Sequence, residues 1–183
     1  MVSNLDIKIE IISKEHKSII SNFCTYEADL KDYLVEDALF HQENKVSKTF
    51  LLFNNNSLVG YVTLLCDSLR VEGEIQGYFK NKNILYKTLP AIKIGRLAVD
   101  DKYQRKGFGR RLVHIAYTYA KEISNNYCGC RFLILDAKIN KEKEKDSLHF
   151  YKKMNFKILK ERIKGTTSMY FDLMLNNKLI WFF

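Results

Sequence analysis

Residues Ile94–Ile123 read IGRLAVDDKYQRKGFGRRLVHIAYTYAKEI and join three local patterns in one run. The apolar residues Leu97–Val99 fit the end of a buried strand, and the acidic and polar residues that follow break that run. After two glycines, apolar residues recur at helical spacing at Leu112, Ile115, Ala116, Tyr119 and Ile123. The segment therefore predicts a strand, a glycine loop and a helix.

This order of elements is suited to binding an anion. The first N–H groups of a helix have no acceptor inside it, and the helix dipole places positive charge at that end. Gly107 and Gly109 lack a Cβ, so the backbone there can lie directly against an oxyanion. Further positive charge comes from Arg105, Lys106, Arg110 and Arg111. An ordinary loop before an amphipathic helix is the alternative interpretation.

Two common phosphate-binding motifs do not fit the glycine loop. A third glycine and an acidic residue on a following strand, which dinucleotide-binding folds require, are missing. The G-K-[ST] sequence of the Walker loop is missing too. The sequence therefore excludes both motifs.

Gln104, Gly107 and Gly109 instead match [QR]-x-x-G-x-[GA], and the segment resembles motif A of the GNAT acetyltransferases. The resemblance implies that the loop amides hold the pyrophosphate of acetyl-CoA, while the strand ending at Val99 splays from its neighbour and pairs with the pantetheine arm. A backbone N–H of that strand would hold the thioester carbonyl. The implied cofactor residues are Leu97, Ala98, Val99, Gln104, Arg105, Lys106, Gly107, Phe108, Gly109 and Arg110.

A second match, Phe150–Phe156 (FYKKMNF), resembles the F-Y-x-x-x-G-F segment of the same family. The resemblance implies that Tyr151 lies beside the sulfur of CoA. A phenol has an ordinary pKa near 10, so it stays protonated at pH 7 and can donate its proton to a departing thiolate. A tyrosine that only packs is the alternative. Asn155 departs from the family pattern because it stands where a glycine is usual.

Length and composition indicate the number of domains, the localisation and whether a metal is expected. The chain has 183 residues, of which 46% are hydrophobic, and we expect a single domain over residues 1–183. No apolar run approaches the roughly 20 residues of a membrane span, and no signal-peptide pattern appears, so we expect a cytoplasmic protein. The four cysteines show neither disulfide nor zinc spacing, and we expect no metal.

The remaining periodicities predict a strand, two helices, three strands, a helix, a strand, a helix and two strands. This order indicates an α/β (α+β) fold with a mixed central sheet flanked by helices, and it is also the order of the GNAT acyl-CoA N-acyltransferase fold, in which strands 4 and 5 splay. Phe40 is expected on the apolar face of the second helix. Cys66–Thr88 is expected to be an extended loop or a partly ordered insert.

No sequence motif identifies the acceptor of the acetyl group, so its chemistry is inferred from charge and from the candidate bases. The net charge is +9, and residues 80–111 hold ten basic and two acidic residues. This charge suggests a polyanionic acceptor such as RNA. The alternative explanation is that the whole composition is rich in lysine. No general base is marked by spacing, although Glu72, Glu74 and Asp136 are possible. An α-amino group has a pKa of about 7.7 to 8 against about 10.4 for lysine, so it needs less help to lose its proton.

The chain also resembles the GNAT toxins of toxin-antitoxin systems, through Ile94–Val113, Leu135–Lys138, Phe150–Tyr151 and Asp32–Leu34. The resemblance implies transfer of an acetyl group to the α-amino group of aminoacyl-tRNA and a ribbon-helix-helix antitoxin as a partner. The apolar tail Leu179–Phe183 either packs back on the domain or joins the interface of a homodimer. Lys87, Lys93 and Arg96 are the candidate tRNA-binding residues because they precede the predicted acyl site. The alternatives are a GNAT enzyme that acetylates a small amine or a protein amino group, and a non-catalytic acyl-CoA-binding or interaction module.

Overall fold

The computed structural model describes residues 6–138, 147–160 and 165–174. Leu5, most of the charged connector after Lys138 and the apolar tail Leu179–Phe183 lie outside the described residues. The chain divides into two compact units, Met1–Leu65 with Ile94–Ala116 and Cys66–Lys93 with Tyr117–Phe183. The single-domain organisation over residues 1–183 stays a prediction.

Seven strands and six α-helices are described. The strands are β1 Ile7–Ile11, β2 Lys48–Asn54, β3 Ser57–Arg70, β4 Thr88–Val99, β5 Phe132–Lys138, β6 Lys157–Lys160 and β7 Thr166–Asp172. The α-helices are α1 Lys17–Ser21, α2 Ala28–Asp32, α3 Ala38–Glu43, α4 Gly73–Lys80, α5 Phe108–Asn126 and α6 Ser147–Lys153. Two 3-10 turns, Lys14–His16 and Asp101–Tyr103, precede α1 and α5.

The strands form one mixed sheet in the order β1-β2-β3-β4-β5-β7-β6. The pairs β1–β2, β2–β3, β5–β7 and β6–β7 are antiparallel, whereas β4 and β5 run parallel. The predicted α/β fold with a mixed sheet flanked by helices is confirmed. The splay between β4 and β5 stays a prediction.

In the first unit, the turn between β2 and β3 sets the register of the hairpin. Asn55 and Asn56 have φ of 47° and 62°, the left-handed pair that a tight two-residue hairpin turn requires. Gly60 in β3 lies where a Cβ would come within 2.6 Å of the Ala98 carbonyl oxygen, so the backbones of β3 and β4 approach closely at this residue. The core of this unit includes Phe23, Leu34 and Leu51.

The second predicted helix is made of α2, a π-helical segment Tyr33–Asp37 and α3. The π segment widens one turn and brings Tyr33 into the core beside Tyr61, with their ring centroids 6.5 Å apart. Phe40 was expected on the apolar face, and this expectation is wrong because its side chain is 62% exposed. The wider turn shifts every later position on the helix relative to a regular period of 3.6 residues.

In the second unit, the region Cys66–Thr88 contains the end of β3 and a helix, and turns and irregular chain follow over residues 81–87, so the predicted extended loop is wrong. Strand β3 continues to Arg70, and α4 follows it. The ring of Phe79 packs against Phe132 with 6.1 Å between centroids, and both belong to the core of this unit. Burial of Phe79 therefore stabilises a short helix whose own sequence contains two glycines.

Candidate active site

The carboxylate of Asp100 fixes the turn that leaves β4. Its side chain is buried, with Oδ1 accepting from the Lys102 N–H at 3.0 Å and Oδ2 accepting from the Cys24 N–H at 2.9 Å. The Asp100 N–H donates in turn to the Val59 carbonyl at 3.0 Å. Asp100 therefore fixes the start of the glycine loop by hydrogen bonds to β3 and to the segment after α1.

The loop that follows contains two residues with positive φ. Arg105 has φ of 59° and Gly107 has φ of 89°, and the Gln104 side chain donates to Asp101 Oδ1 at 2.7 Å. A Cβ placed on Gly107 would meet nothing within 4 Å, so this side of the loop is open. Phe108 is buried and anchors the first turn of α5.

The start of α5 has the features predicted for an anion site. The Arg111 N–H donates to the Gly107 carbonyl at 3.2 Å, and the N–H groups of residues 108–110 precede this first bond of the helix. Arg105, Lys106 and Arg110 are exposed around it. Backbone donors, the helix dipole and three exposed cations together fit a diphosphate.

The end of β4 is packed unevenly. Ala98 is buried against Gly60 of β3, while Leu97 and Val99 are half-buried. The absence of a side chain on Gly60 lets the backbone of β3 lie close to that of β4. The position of this part of β4 is therefore set by backbone packing within the first unit.

Tyr151 lies in the second unit on α6 and is 8% exposed. Its ring centroid is 5.0 Å from that of Phe150 and 5.7 Å from that of Phe156. Asn155, the departure from the family's glycine, has φ of 63° and ends the helix in the left-handed conformation. Asparagine tolerates this conformation better than most residues, so the helix end has the geometry that a glycine would give it.

Comparison with known proteins decides the family. The acetyltransferase (GNAT) domain matches residues 45–158, which is more than half of the chain. This chain belongs to the GNAT acetyltransferase family. The predicted family is therefore confirmed, together with its acetyl-CoA-dependent N-acetyltransferase activity and with acetyl-CoA as its co-substrate.

Solved GNAT structures resemble this GNAT chain over most of its length. AtaT complexed with acetyl-methionyl-tRNAfMet is 26% identical, with a TM-score of 0.75 over 91% of this chain and 95% of that chain. A tyrosine-to-phenylalanine mutant of KacT is 21% identical, with a TM-score of 0.76 over 91% and 95%. A similar mutant of the AtaT toxin, bound to the C-terminus of the antitoxin AtaR and to acetyl-CoA, is 23% identical, with a TM-score of 0.71 over 92% and 94%. No curated protein matches the chain.

Within residues 6–138, 147–160 and 165–174, no three His, Cys, Asp or Glu side chains come together as metal ligands. No helix in the described part of the chain has both the length and the apolar character of a membrane span. All four cysteines are free thiols.

The structure separates the three candidate tRNA-binding residues by their surroundings. Lys87 is exposed beside the start of β4. Lys93 is not an unpaired surface cation, because its Nζ lies 2.7 Å from Asp136 Oδ2 and 3.7 Å from Asp67 Oδ2. The prediction for Lys93 treated it as available charge, and the two ion pairs weaken that interpretation.

Arg96 has the most specific surroundings of the three residues. Its guanidinium lies 5.2 Å from the centre of the Tyr33 ring, within the range of a cation–π contact, and its Nη1 donates to the Gly95 carbonyl at 2.8 Å. The Tyr33 hydroxyl is 3.1 Å from the Ser47 hydroxyl, and the Tyr61 hydroxyl donates to the Leu30 carbonyl at 2.6 Å. Sequence reasoning missed this aromatic support because it depends on the π turn and not on any motif.

The possible general bases are exposed or have ordinary structural partners. Glu72 is exposed and pairs with Arg70 at 3.0 Å, Glu74 is exposed, and Asp136 pairs with Lys93. Burial, with a smaller contribution from Arg111, lowers the pKa of His114 below its ordinary value of 6.5 and so favours the neutral imidazole. None of these groups is distinguished as a base for the acceptor amine.

Proposed function

We propose that this GNAT enzyme transfers an acetyl group from acetyl-CoA directly to the α-amino group of aminoacyl-tRNA and acts as a toxin that inhibits translation. The observation that carries this proposal is the likeness to AtaT complexed with acetyl-methionyl-tRNAfMet, which is 26% identical over 91% of this chain. A further AtaT structure, a tyrosine-to-phenylalanine mutant at 25% identity, is described as a toxin.

Acetyl-CoA supplies an activated acetyl thioester, and the residues of this chain would hold it. The open loop around Gly107 and the exposed cations Arg105, Lys106 and Arg110 would bind the pyrophosphate through backbone N–H groups and charge. A backbone N–H of Leu97–Val99 would donate to the thioester carbonyl, and Gln104 and Phe108 would keep the loop in shape. Tyr151 would donate a proton to the departing thiolate.

Among the residues that the structure describes, no side chain is distinguished as a base, and this supports an α-amino acceptor. With a pKa of about 7.7 to 8, a substantial part of such an amine is already neutral at pH 7.5, whereas a lysine amine with a pKa of about 10.4 is almost wholly protonated. Solvent can therefore accept the proton of an α-amino group without a dedicated carboxylate. The same reasoning disfavours an exposed lysine as the acceptor.

Charge supports a polyanionic carrier for that amine. The net charge of +9 attracts a nucleic acid at a distance, and Arg96 and Lys87 would contact tRNA phosphates directly. Lys93 would take part only after leaving its ion pair with Asp136. An antitoxin of the ribbon-helix-helix type and a second copy of the chain are the further partners that belong to this proposal.

The test is to incubate the purified protein with acetyl-CoA and charged tRNA and to release the aminoacyl group for mass analysis. The proposal predicts an added acetyl group on the α-nitrogen of the amino acid and no product with uncharged tRNA. Acetylation of a free diamine in place of charged tRNA would contradict the proposed acceptor while leaving the acetyltransferase activity intact. Binding of acetyl-CoA without transfer to any amine would instead indicate a non-catalytic module.

A further inference from the structure

The segment between α4 and β4 carries two adjacent apolar side chains that face solvent. Leu85 is 76% exposed and Tyr86 is 74% exposed. A single exposed apolar side chain is ordinary, whereas two adjacent ones in an ordered segment form a candidate contact surface. This surface, residues 80–87, lies within the second unit.

The backbone of the 80–87 surface is held at both ends. The Ile84 N–H donates to the Phe79 carbonyl at 3.0 Å, and the Ile84 side chain packs against the core of the second unit. The Lys87 carbonyl accepts from the Val71 N–H at 3.0 Å. Tyr86 lies between these two anchored points, so the backbone holds its ring in solvent before any partner arrives. Such preorganisation lowers the entropy cost of binding.

The charge of the 80–87 surface has one sign. Lys80, Lys82 and Lys87 are all exposed. Within the described part of the chain, none of their three ammonium groups is in an ion pair. The sequence has no acidic residue between Glu74 and Asp100. Charge complementarity therefore favours an anionic partner.

We infer that the 80–87 surface binds a single-stranded segment of RNA. One base stacks on the Tyr86 ring, and the three lysines contact the neighbouring phosphates, which is the combination that single-stranded nucleic acids require. A duplex offers only its phosphates, because its bases are already stacked on one another. The identity of the RNA rests on the proposed function, in which the unpaired end of aminoacyl-tRNA is this segment.

Fluorescence anisotropy with the full chain and no acetyl-CoA tests this inference. The probes are a labelled single-stranded RNA without self-complementarity and the same strand annealed to its complement. The single strand should bind more tightly than the duplex. Vesicles of phosphatidylglycerol, offered separately, test whether the exposed apolar pair enters an anionic membrane. Binding of the vesicles without binding of the single strand would overturn the inference.

Substitutions at Tyr86 separate stacking from general attraction. Tyr86→Ser should weaken binding of the single strand about tenfold or more and leave binding of the duplex unchanged, whereas Tyr86→Phe should keep both affinities. Tyr127→Ser is the matched control, because Tyr127 is 75% exposed and should not contribute. An unchanged affinity in Tyr86→Ser, or an equal loss for single strand and duplex, would overturn the inference.

The lysines should act through phosphates alone. Lys80→Gln should weaken both probes and reduce the log–log salt dependence of single-strand binding by about 0.7 for the contact that is lost. An unchanged salt dependence would remove Lys80 from the surface. These binding measurements need no acetyl transfer, so they can fail while charged tRNA is acetylated. They can also succeed when no amine of tRNA is acetylated, and then only the proposed function fails.

Discussion

The Phe156 N–H donates to the Tyr151 carbonyl at 3.1 Å, and the rings of the same two residues lie 5.7 Å apart. With the bond from the Asn155 N–H to the Lys152 carbonyl at 3.0 Å, this completes a Schellman motif at the end of α6. The motif includes the apolar contact that usually accompanies it. Tyr151 is therefore held both by its own helix and by the chain that reverses after it.

Substitutions at Asn155, the left-handed residue of this motif, should change the stability of the protein. Asn155 has φ of 63°, so Asn155→Ala should lower the free energy of unfolding by about 1 kcal/mol, whereas Asn155→Gly should leave it equal or higher. Urea denaturation measures both changes. Equal stability of the alanine and glycine variants would show that the backbone at this position is not strained.

Gly107 should be needed for the shape of the cofactor loop. Its φ of 89° is unfavourable for a residue with a Cβ, so Gly107→Ala should shift the loop amides and raise the KM for acetyl-CoA about tenfold. Gly77→Ala is a matched control, because a Cβ there also meets nothing within 4 Å and the residue lies inside α4. Steady-state kinetics on both variants should separate them, and an equal KM in both would remove Gly107 from cofactor binding.

Arg96 should contribute to the binding of charged tRNA and not to the binding of acetyl-CoA. Arg96→Glu should raise the KM for charged tRNA about tenfold or more and reduce the salt dependence of tRNA binding by about one unit of log–log slope, because one phosphate contact is lost. The KM for acetyl-CoA should not change. Lys17→Glu, at an exposed position in α1, makes the same charge change elsewhere and serves as the control. Equal losses for both substrates would mean that Arg96 supports the fold of the first unit.

Much of the architecture follows from local sequence rules. The regular apolar spacing of α5, the paired asparagines at Asn55 and Asn56 and the apolar run of β5 each correspond to one element, and all three are found. The glycine loop is also recognisable, because Gly107 adopts the positive φ that makes a glycine useful there. These features depend on residues close together in the chain.

The features that the sequence did not reveal depend on distant residues. Helix α4 contains Gly73 and Gly77, which disfavour a helix, and it is stabilised by the packing of Phe79 against Phe132. Lys93 forms an ion pair with Asp136 only because strand pairing brings the two residues side by side. Without the strand register, its charge is indistinguishable from that of an exposed lysine.

The most direct test of the proposed chemistry is single-turnover acetylation of charged tRNA by the Tyr151→Phe variant. If Tyr151 supplies the proton to the thiolate, the rate of transfer should fall by about 10²- to 10⁴-fold while the affinity for acetyl-CoA stays the same. Phenylalanine keeps the ring contacts with Phe150 and Phe156, so the fold should be preserved. A variant that transfers acetyl to aminoacyl-tRNA as fast as the natural protein would contradict the role of Tyr151.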